Sequence, residues 1–157
     1  MHPLSENILK WIPQQPPFRF VDGITEISED NVIGFYTYRE DEFFYRGHFP
    51  AKPLTPGVIL TETMAQIGLV ALGIYLFGKD IEERNENLRT TPTFVFTSSE
   101  VDFLRIVLPG ETVTVKSEKI YFRLGKLKVK TQMFNVEGIE VCRGILSGMI
   151  LKEKINF

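Results

Sequence analysis

Cysteine and histidine are scarce in this chain, and their scarcity limits the chemistry available to it. The 157 residues include one cysteine, Cys142, and two histidines, His2 and His48. A single cysteine cannot form an intramolecular disulfide, and His and Cys residues are nowhere clustered as zinc ligands would be. The sequence also lacks a Gly-x-Ser-x-Gly motif and a glycine-rich phosphate loop. We therefore expect neither a metal nor an organic cofactor.

A secretion signal and a block of like charges are also missing. The N-terminus has no charged segment followed by an apolar run, so we expect the protein to work in the reducing cytoplasm. The formal net charge is −2 and Lys and Arg are spread along the chain, which argues against a nucleic-acid partner. Hydrophobic residues make up 43% and charged residues 24%, which is typical of a globular protein. The length predicts a single domain over residues 1–157.

One apolar segment approaches the length of a membrane span. Residues 58–77 are mostly apolar, and a transmembrane helix needs about 20 such residues. Glu62 and Gln66 lie within this segment, and a carboxylate and an amide are costly in lipid, whereas a helix inside a protein core can give them partners. We therefore expect no membrane span.

Glycine and proline divide the first half of the chain into elements. Residues 5–11 are predicted to form a short helix, which the prolines that follow would stop. Residues 18–27 and 31–38 are rich in aromatic and β-branched side chains around a turn-forming segment, which predicts a β-hairpin. Residues 41–57 contain too many prolines and glycines for a regular element and are predicted to form a loop of fixed shape. Residues 57–78 are predicted to form a central helix, apolar almost all round and therefore enclosed by other elements.

Strand-like segments fill the second half of the chain, after a polar connection over residues 79–91. The dipeptides Leu124-Gly125 and Glu137-Gly138 predict tight turns, so consecutive strands would pair antiparallel. The pattern predicts an α+β domain in which an antiparallel β-sheet curves around the central helix. The predicted strands cover residues 94–99, 101–107, 112–123, 126–136 and 139–151.

His48 is the one histidine placed to act as an acid or base, because His2 lies at the chain terminus. It stands in the run Arg46-Gly47-His48-Phe49-Pro50, where the proline restricts the backbone and can help hold the imidazole in place. Histidine is the most frequent acid/base side chain near neutral pH. A surface histidine without a catalytic role is the alternative that this position alone leaves open.

Glu62 is the second candidate, because it is the one charged residue between Lys52 and Lys79. Burial raises the pKa of a carboxyl group, so Glu62 could remain protonated near neutral pH and donate a proton. Favourable interaction with the N-terminal helix dipole, worth about 0.3–1 kcal/mol, is the structural alternative. Gln66 lies four residues later on the same helix face and could hydrogen-bond Glu62 or a neighbouring strand.

The predicted start of the central helix offers a third part of a site. The first N–H groups of a helix have no partner within it and can bind a carbonyl oxygen on which negative charge develops. Gly57 and Val58 occupy these positions. We therefore predict that their backbone N–H groups bind substrate.

Three segments carry a resemblance to a known family. Residues 48–66, HFPAKPLTPGVILTETMAQ, closely resemble the signature of the β-hydroxyacyl-acyl carrier protein dehydratases of the FabZ type. Residues 17–22, PFRFVD, and 103–111, FLRIVLPGE, fit the same family. The resemblance therefore covers nearly the whole chain.

This resemblance implies a hotdog fold, in which a curved antiparallel sheet wraps a long central helix and two subunits join edge to edge, often as trimers of dimers. It implies a hydro-lyase that removes water from a (3R)-hydroxyacyl chain on an acyl carrier protein, in fatty-acid or related polyene or polyketide biosynthesis. In the family, the residues matching His48 and Glu62 are catalytic and enter one site from opposite subunits. A glutamate at the helix position favours simple dehydration over dehydration with isomerisation.

Two other functions remain compatible with the same fold. An acyl-thioester hydrolase would use a carboxylate at a comparable helix position to activate water. A non-catalytic acyl-binding subunit would keep the fold without a working pair of catalytic residues. The products formed from an acyl thioester distinguish all three.

Overall fold

The computed structural model describes residues 3–84 and 92–151. It contains a short N-terminal helix, a long central helix and a six-stranded antiparallel sheet whose strand order is β1-β2-β4-β5-β6-β3. The middle of the central helix contacts β2, β3, β4, β5 and β6, so the sheet surrounds it as predicted. The elements are α1 (Pro3–Trp11), β1 (Gly23–Ile27), β2 (Asn31–Thr37), α2 (Gly57–Glu83), β3 (Thr93–Phe103), β4 (Thr112–Arg123), β5 (Lys126–Phe134) and β6 (Glu140–Leu151).

Helix α2 begins at Gly57, as predicted, but continues to Glu83 rather than ending at Gly78. Gly78 is buried within the helix, and the polar residues that follow add another turn because their side chains can reach solvent. The part of the predicted 79–91 connection beyond residue 84 lies outside the described residues. Residues Gln66–Ala71 form a π-helical segment inside α2.

The π-helical segment rests directly on the sheet. A Cβ atom on Gly68 would lie 2.9 Å from the Ser117 side chain and 3.3 Å from Thr131 Oγ1, so only glycine permits this approach. Ser117 Oγ donates a hydrogen bond of 3.0 Å to the Gly68 carbonyl. This contact helps fix the rotation of α2, which determines where Glu62 and Gln66 point.

Helix α2 is long and apolar enough to cross a membrane by length and composition alone, with a hydropathy of 1.6 in its most apolar window. However, 78% of that window is buried inside the molecule. Burial of this extent is typical of a core helix, and it supports the expectation that α2 does not span a membrane.

The sheet departs from the predicted strands in β3 and in β1. The predicted strand 94–99 and the first part of the predicted strand 101–107 form one strand, β3, which ends at Phe103 and has an irregularity between Phe96 and Ser98. The irregularity is of the kind that a β-bulge produces within a continuous strand. The first hairpin is present, but β1 starts only at Gly23. Before it, the backbone of Phe18 and Phe20 bonds to the Gln66 side chain of α2.

The predicted Leu124-Gly125 turn joins β4 to β5. Both residues have positive φ angles, 51° and 76°, which is the backbone conformation of a two-residue type I′ hairpin. The connection from β5 to β6 is longer than predicted, because β5 ends at Phe134 and β6 begins at Glu140. Gly138 has a φ of 77° and supplies the left-handed residue of that loop.

Candidate active site

His48 lies in a loop that backbone hydrogen bonds close on itself. A short 3-10 turn, Phe43–Arg46, leads into the loop. The His48 N–H donates to the Phe44 carbonyl at 3.1 Å, and the His48 carbonyl accepts from the Leu54 N–H at 3.0 Å. Both backbone groups of His48 are therefore satisfied, which fixes the position from which its side chain projects.

The His48 imidazole is oriented by the same loop. Its Nδ1 lies 2.9 Å from the Leu54 carbonyl oxygen, and since a carbonyl can only accept, Nδ1 carries the proton. The ring also stacks on Phe49, with centroids 4.2 Å apart and planes 25° apart. In the neutral ring Nε2 is then the unprotonated nitrogen, the atom that can take a proton from a substrate.

A buried pair of hydroxyl groups braces the loop. Tyr45, just before His48, and Thr55, just before the start of α2, share a hydrogen bond of 2.7 Å between their side-chain oxygens. The Thr55 N–H also donates to the Val107 carbonyl at 2.8 Å. These bonds tie the His48 loop to the first turn of α2. Sequence reasoning missed Tyr45 and Thr55, because nothing in residue spacing predicts that they meet.

The first turn of α2 has free backbone N–H groups among the described residues. Within residues 3–84 and 92–151, neither Gly57 nor Val58 has an acceptor for its backbone N–H, and the Val58 residue is 76% exposed. The ring of Phe103 lies against Gly57, because a Cβ atom there would be 3.0–3.2 Å from it. The helix start is therefore open on one side and bounded by an aromatic ring on another.

Glu62 projects from α2 into a half-buried position, where loss of solvent raises the pKa of its carboxyl group. Its Oε1 accepts a hydrogen bond of 2.9 Å from Gln66 Nε2, which acts in the opposite direction and lowers that pKa. Burial is the larger of the two effects. A carboxyl group in this environment keeps its proton to a higher pH than an exposed glutamate does.

Gln66 is fully buried and bridges two parts of the chain. Its Nε2 donates to the Phe18 carbonyl at 2.9 Å as well as to Glu62, and its Oε1 accepts from the Phe20 N–H at 2.6 Å. Of the two partners that the sequence suggested for Gln66, the carboxyl group of Glu62 is observed, whereas the second is the segment before β1 rather than a strand. This side chain holds the segment before β1 against the helix turn that carries Glu62.

The structure brings Glu62 and Gln66 together but does not join His48 to Glu62 within one chain. Among the described residues, the one hydrogen-bond partner of the Glu62 carboxyl group is Gln66, and the His48 ring contacts Leu54 and Phe49. Gly57 and Val58 begin the same helix that carries Glu62. Within the described residues, no hydrogen bond joins the loop imidazole to the helix carboxyl group.

Comparison with protein families gives a match to the FabA-like domain over residues 12–144. Curated relatives include 3-hydroxyacyl-acyl-carrier-protein dehydratase FabZ of Caldicellulosiruptor saccharolyticus, 36% identical over 143 residues, which span 89% of this chain and 93% of the relative. FabZ of Bartonella quintana is 32% identical over 156 residues, with 94% and 89% covered. Both matches include the His48 loop and the start of α2.

Solved structures show the same fold at low sequence identity. The dehydratase heterocomplex ApeI:P of Xenorhabdus doucetiae matches with a TM-score of 0.70 at 14% identity, over 93% of this chain and 91% of that one. The PaaI protein of E. coli matches with a TM-score of 0.61 at 14% identity, over 87% and 83%. These likenesses confirm the hotdog fold. Together with the family match and the curated relatives, they show that the chain belongs to the FabA-like family, as a hotdog-fold protein of the FabZ type.

Proposed function

We propose that the protein is a (3R)-hydroxyacyl-acyl carrier protein dehydratase, a hydro-lyase that converts a 3-hydroxyacyl thioester to the trans-2-enoyl thioester. The observation that carries the proposal is the His48 imidazole, whose Nδ1 is held by the Leu54 carbonyl so that Nε2 can accept a proton. A hydrolase that uses a carboxylate to activate water has no need of a base fixed in this way. The proposal takes residues 1–157 as one hotdog domain.

His48 acts as the base in the first half of the reaction. The thioester carbonyl makes the C2–H bond of the substrate acidic, and Nε2 of His48 takes that proton. Negative charge then develops on the carbonyl oxygen, where the N–H groups of Gly57 and Val58 can bind it. One such preorganised donor typically lowers a barrier by about 2.7–4 kcal/mol.

Glu62 acts on the leaving group in the second half. As the C2=C3 double bond forms and the C3–O bond breaks, the protonated carboxyl group gives its proton to the departing hydroxyl, which leaves as water. The raised pKa of Glu62 supports this role, since it keeps the proton on the acid. Gln66 is a positioning residue, because it fixes the carboxyl group without contacting substrate.

The complete site requires two subunits, with His48 from one facing Glu62 from the other. Two features support this arrangement: no hydrogen bond joins the two residues within the described chain, and β3 lies at the edge of the described sheet. An edge strand of this length is available for pairing with a second copy. We therefore propose a homodimer whose subunits join edge to edge, either alone or within a trimer of dimers. Its substrate is carried by a cytoplasmic acyl carrier protein.

The reaction is tested by following both possible products from one substrate. The purified chain is given a 3-hydroxyacyl thioester of an acyl carrier protein while ultraviolet absorbance reports the enoyl thioester and a thiol reagent reports hydrolysis. We expect enoyl thioester to form without free thiol, and no turnover by His48→Ala. Thiol release would identify a hydrolase, and tight acyl binding without either product would identify a non-catalytic subunit.

A further inference from the structure

The hairpin formed by β4 and β5 has a basic outer face. Along β5, buried side chains alternate with others that point away from α2, and the strand register pairs the latter with outward residues of β4. This outward set contains five cationic side chains and one carboxylate. We call it the basic face: Lys116, Glu118, Tyr121, Arg123, Lys126, Lys128, Lys130 and Gln132.

The cations of the basic face have no anionic partner. In the part of the chain that the structure describes, none of the five forms an ion pair, whereas nearby Lys119 pairs with Asp30 at 3.6 Å. Two of them lie over aromatic rings instead: the Arg123 guanidinium is 4.7 Å from the Tyr121 ring centroid, and Lys116 Nζ is 5.3 Å from that of Phe134. The face therefore carries a net positive charge that no ion pair within the described residues offsets, with Glu118 opposite Lys130 across the strands and Glu100 and Asp102 lining the same pocket as Lys130.

An apolar side chain stands at the tip of the same hairpin. Leu124 is 91% exposed and has a φ of 51°, a left-handed conformation that leucine rarely adopts. Asparagine or glycine would be favoured in this type I′ turn on conformational grounds. Leucine at this position thus satisfies neither the backbone preference nor burial, which points to a role at the tip itself.

We propose that this hairpin binds the surface of anionic membranes, with Leu124 inserted among the lipid headgroups and the basic face against lipid phosphates. Peripheral membrane anchors combine exposed apolar side chains with unpaired Lys and Arg in this way. An acidic protein could satisfy the cations, but a single leucine at a protruding tip does not form the buried apolar centre typical of a protein interface. Charge complementarity together with the apolar tip therefore favours lipid.

The other hairpin supplies an internal control. Val136, in the β5–β6 connection, is 80% exposed, so it resembles Leu124 as an apolar residue on an exposed loop. Its chain neighbour is Glu137 rather than a lysine or arginine. If exposure of an apolar tip were sufficient, both hairpins would bind lipid. The proposal assigns binding to the Leu124 hairpin alone.

Co-sedimentation with vesicles tests the proposal on the full chain. Vesicles of phosphatidylcholine are compared with vesicles of equal parts phosphatidylcholine and phosphatidylglycerol, for the unmodified chain, Leu124→Asn, the double variant Lys126→Glu/Lys128→Glu, and Val136→Asn. We expect binding to the anionic vesicles alone, weakened about tenfold by Leu124→Asn and about fivefold or more for each reversed charge. Val136→Asn should bind like the unmodified chain.

Three results would overturn the proposal. One is the absence of sedimentation with anionic vesicles. Another is binding that the Lys126→Glu/Lys128→Glu variant loses but Leu124→Asn keeps. Such binding would be a general attraction to polyanions, including acidic proteins. The third is a change in oligomeric mass of Leu124→Asn by light scattering, which would make the tip a contact between subunits. Circular dichroism and dehydratase activity of each variant, both expected to be unchanged, show that loss of lipid binding is not loss of the fold.

Discussion

The loop that carries His48 and the helix turn that carries Glu62 hold their side chains by different means. His48 depends on bonds made across an irregular loop, to Phe44 and Leu54, and on the Tyr45–Thr55 pair that braces the loop. Glu62 stands on a helix whose own backbone bonds fix the chain. Its carboxyl group, however, is oriented by a single buried amide from Gln66.

Because of this difference, mutations in the two regions should have different consequences for the site. Removing a brace from the loop should displace the imidazole itself. Removing Gln66, the partner of the Glu62 carboxyl group, should leave the helix backbone in place but change the protonation of Glu62 and the local stability. Variants of each region can therefore be told apart by the measurement that responds to them.

The largest effect on the helix side is expected from Glu62→Gln. The amide keeps the shape of the side chain and its oxygen can still accept from Gln66, but it has no acidic proton to give. We expect kcat to fall by about 100-fold or more, with little change in the free energy of unfolding. Glu83→Gln, at the exposed end of the same helix, is the matched control and should retain full activity. Undiminished kcat in Glu62→Gln would remove the carboxyl group from the mechanism.

Gln66→Leu should have the largest effect on stability among these variants. It leaves the buried Phe20 N–H and the Phe18 carbonyl without their partner, and an unsatisfied buried polar group costs about 1–3 kcal/mol. Chemical denaturation measures the loss. Gln132→Leu, which removes an amide bonded to Glu140 on the outer face of the sheet, should cost less. Equal losses in the two variants would contradict the bridging role of Gln66.

The pH dependence of stability isolates the protonation state of Glu62. Because burial raises its pKa in the folded chain above the ordinary 4.5, the folded state binds more protons than the unfolded state between those two values. The contribution of Glu62 to stability must therefore fall as pH rises through that window and become constant above it. Denaturation of the unmodified chain and Glu62→Gln across this range should give a difference with that slope. A difference that does not vary with pH would contradict a raised pKa.

The smallest effects are expected from two tyrosine variants that compare loop with helix directly. Tyr45→Phe breaks the hydrogen bond to Thr55 beside the His48 loop, and Tyr38→Phe breaks a similar bond of 2.6 Å to Thr63 in α2. Each should lower the free energy of unfolding by about 1 kcal/mol. Only Tyr45→Phe should also reduce kcat, by several-fold, since a helix keeps its shape without the bond. Equal kcat in both variants would show that the loop needs no brace.

The parts of the fold that local sequence predicts well are those governed by local chemistry. The start of α2 at Gly57 and the tight turn at Leu124-Gly125, where the glycine permits a positive φ, follow from local residue types, and the structure has both. The end of α2 depends on how the helix packs, and the continuity of β3 depends on its pairing with β6. These lie beyond what residue spacing can indicate.

The same division holds in the candidate site. His48 and Glu62 are identifiable because few other residues of their chemistry occur nearby, and Gly57 because it begins the predicted helix. The bridging of Gln66 to Phe18 and Phe20, and the meeting of Tyr45 with Thr55, join residues brought together only by the fold. Their types give no signal of that proximity.

The central claim, that each site takes His48 and Glu62 from different subunits, is tested most directly by mixing two inactive variants. His48→Ala and Glu62→Gln chains are dissociated together, allowed to reassociate in equal amounts, and assayed for enoyl-thioester formation. Half of the resulting dimers are mixed and each would contain one intact site of two, so we expect about a quarter of the unmodified activity. Each variant treated alone should remain inactive. If the mixture also remains inactive although mass measurements show mixed dimers, then both residues of a site come from one chain and the account is wrong.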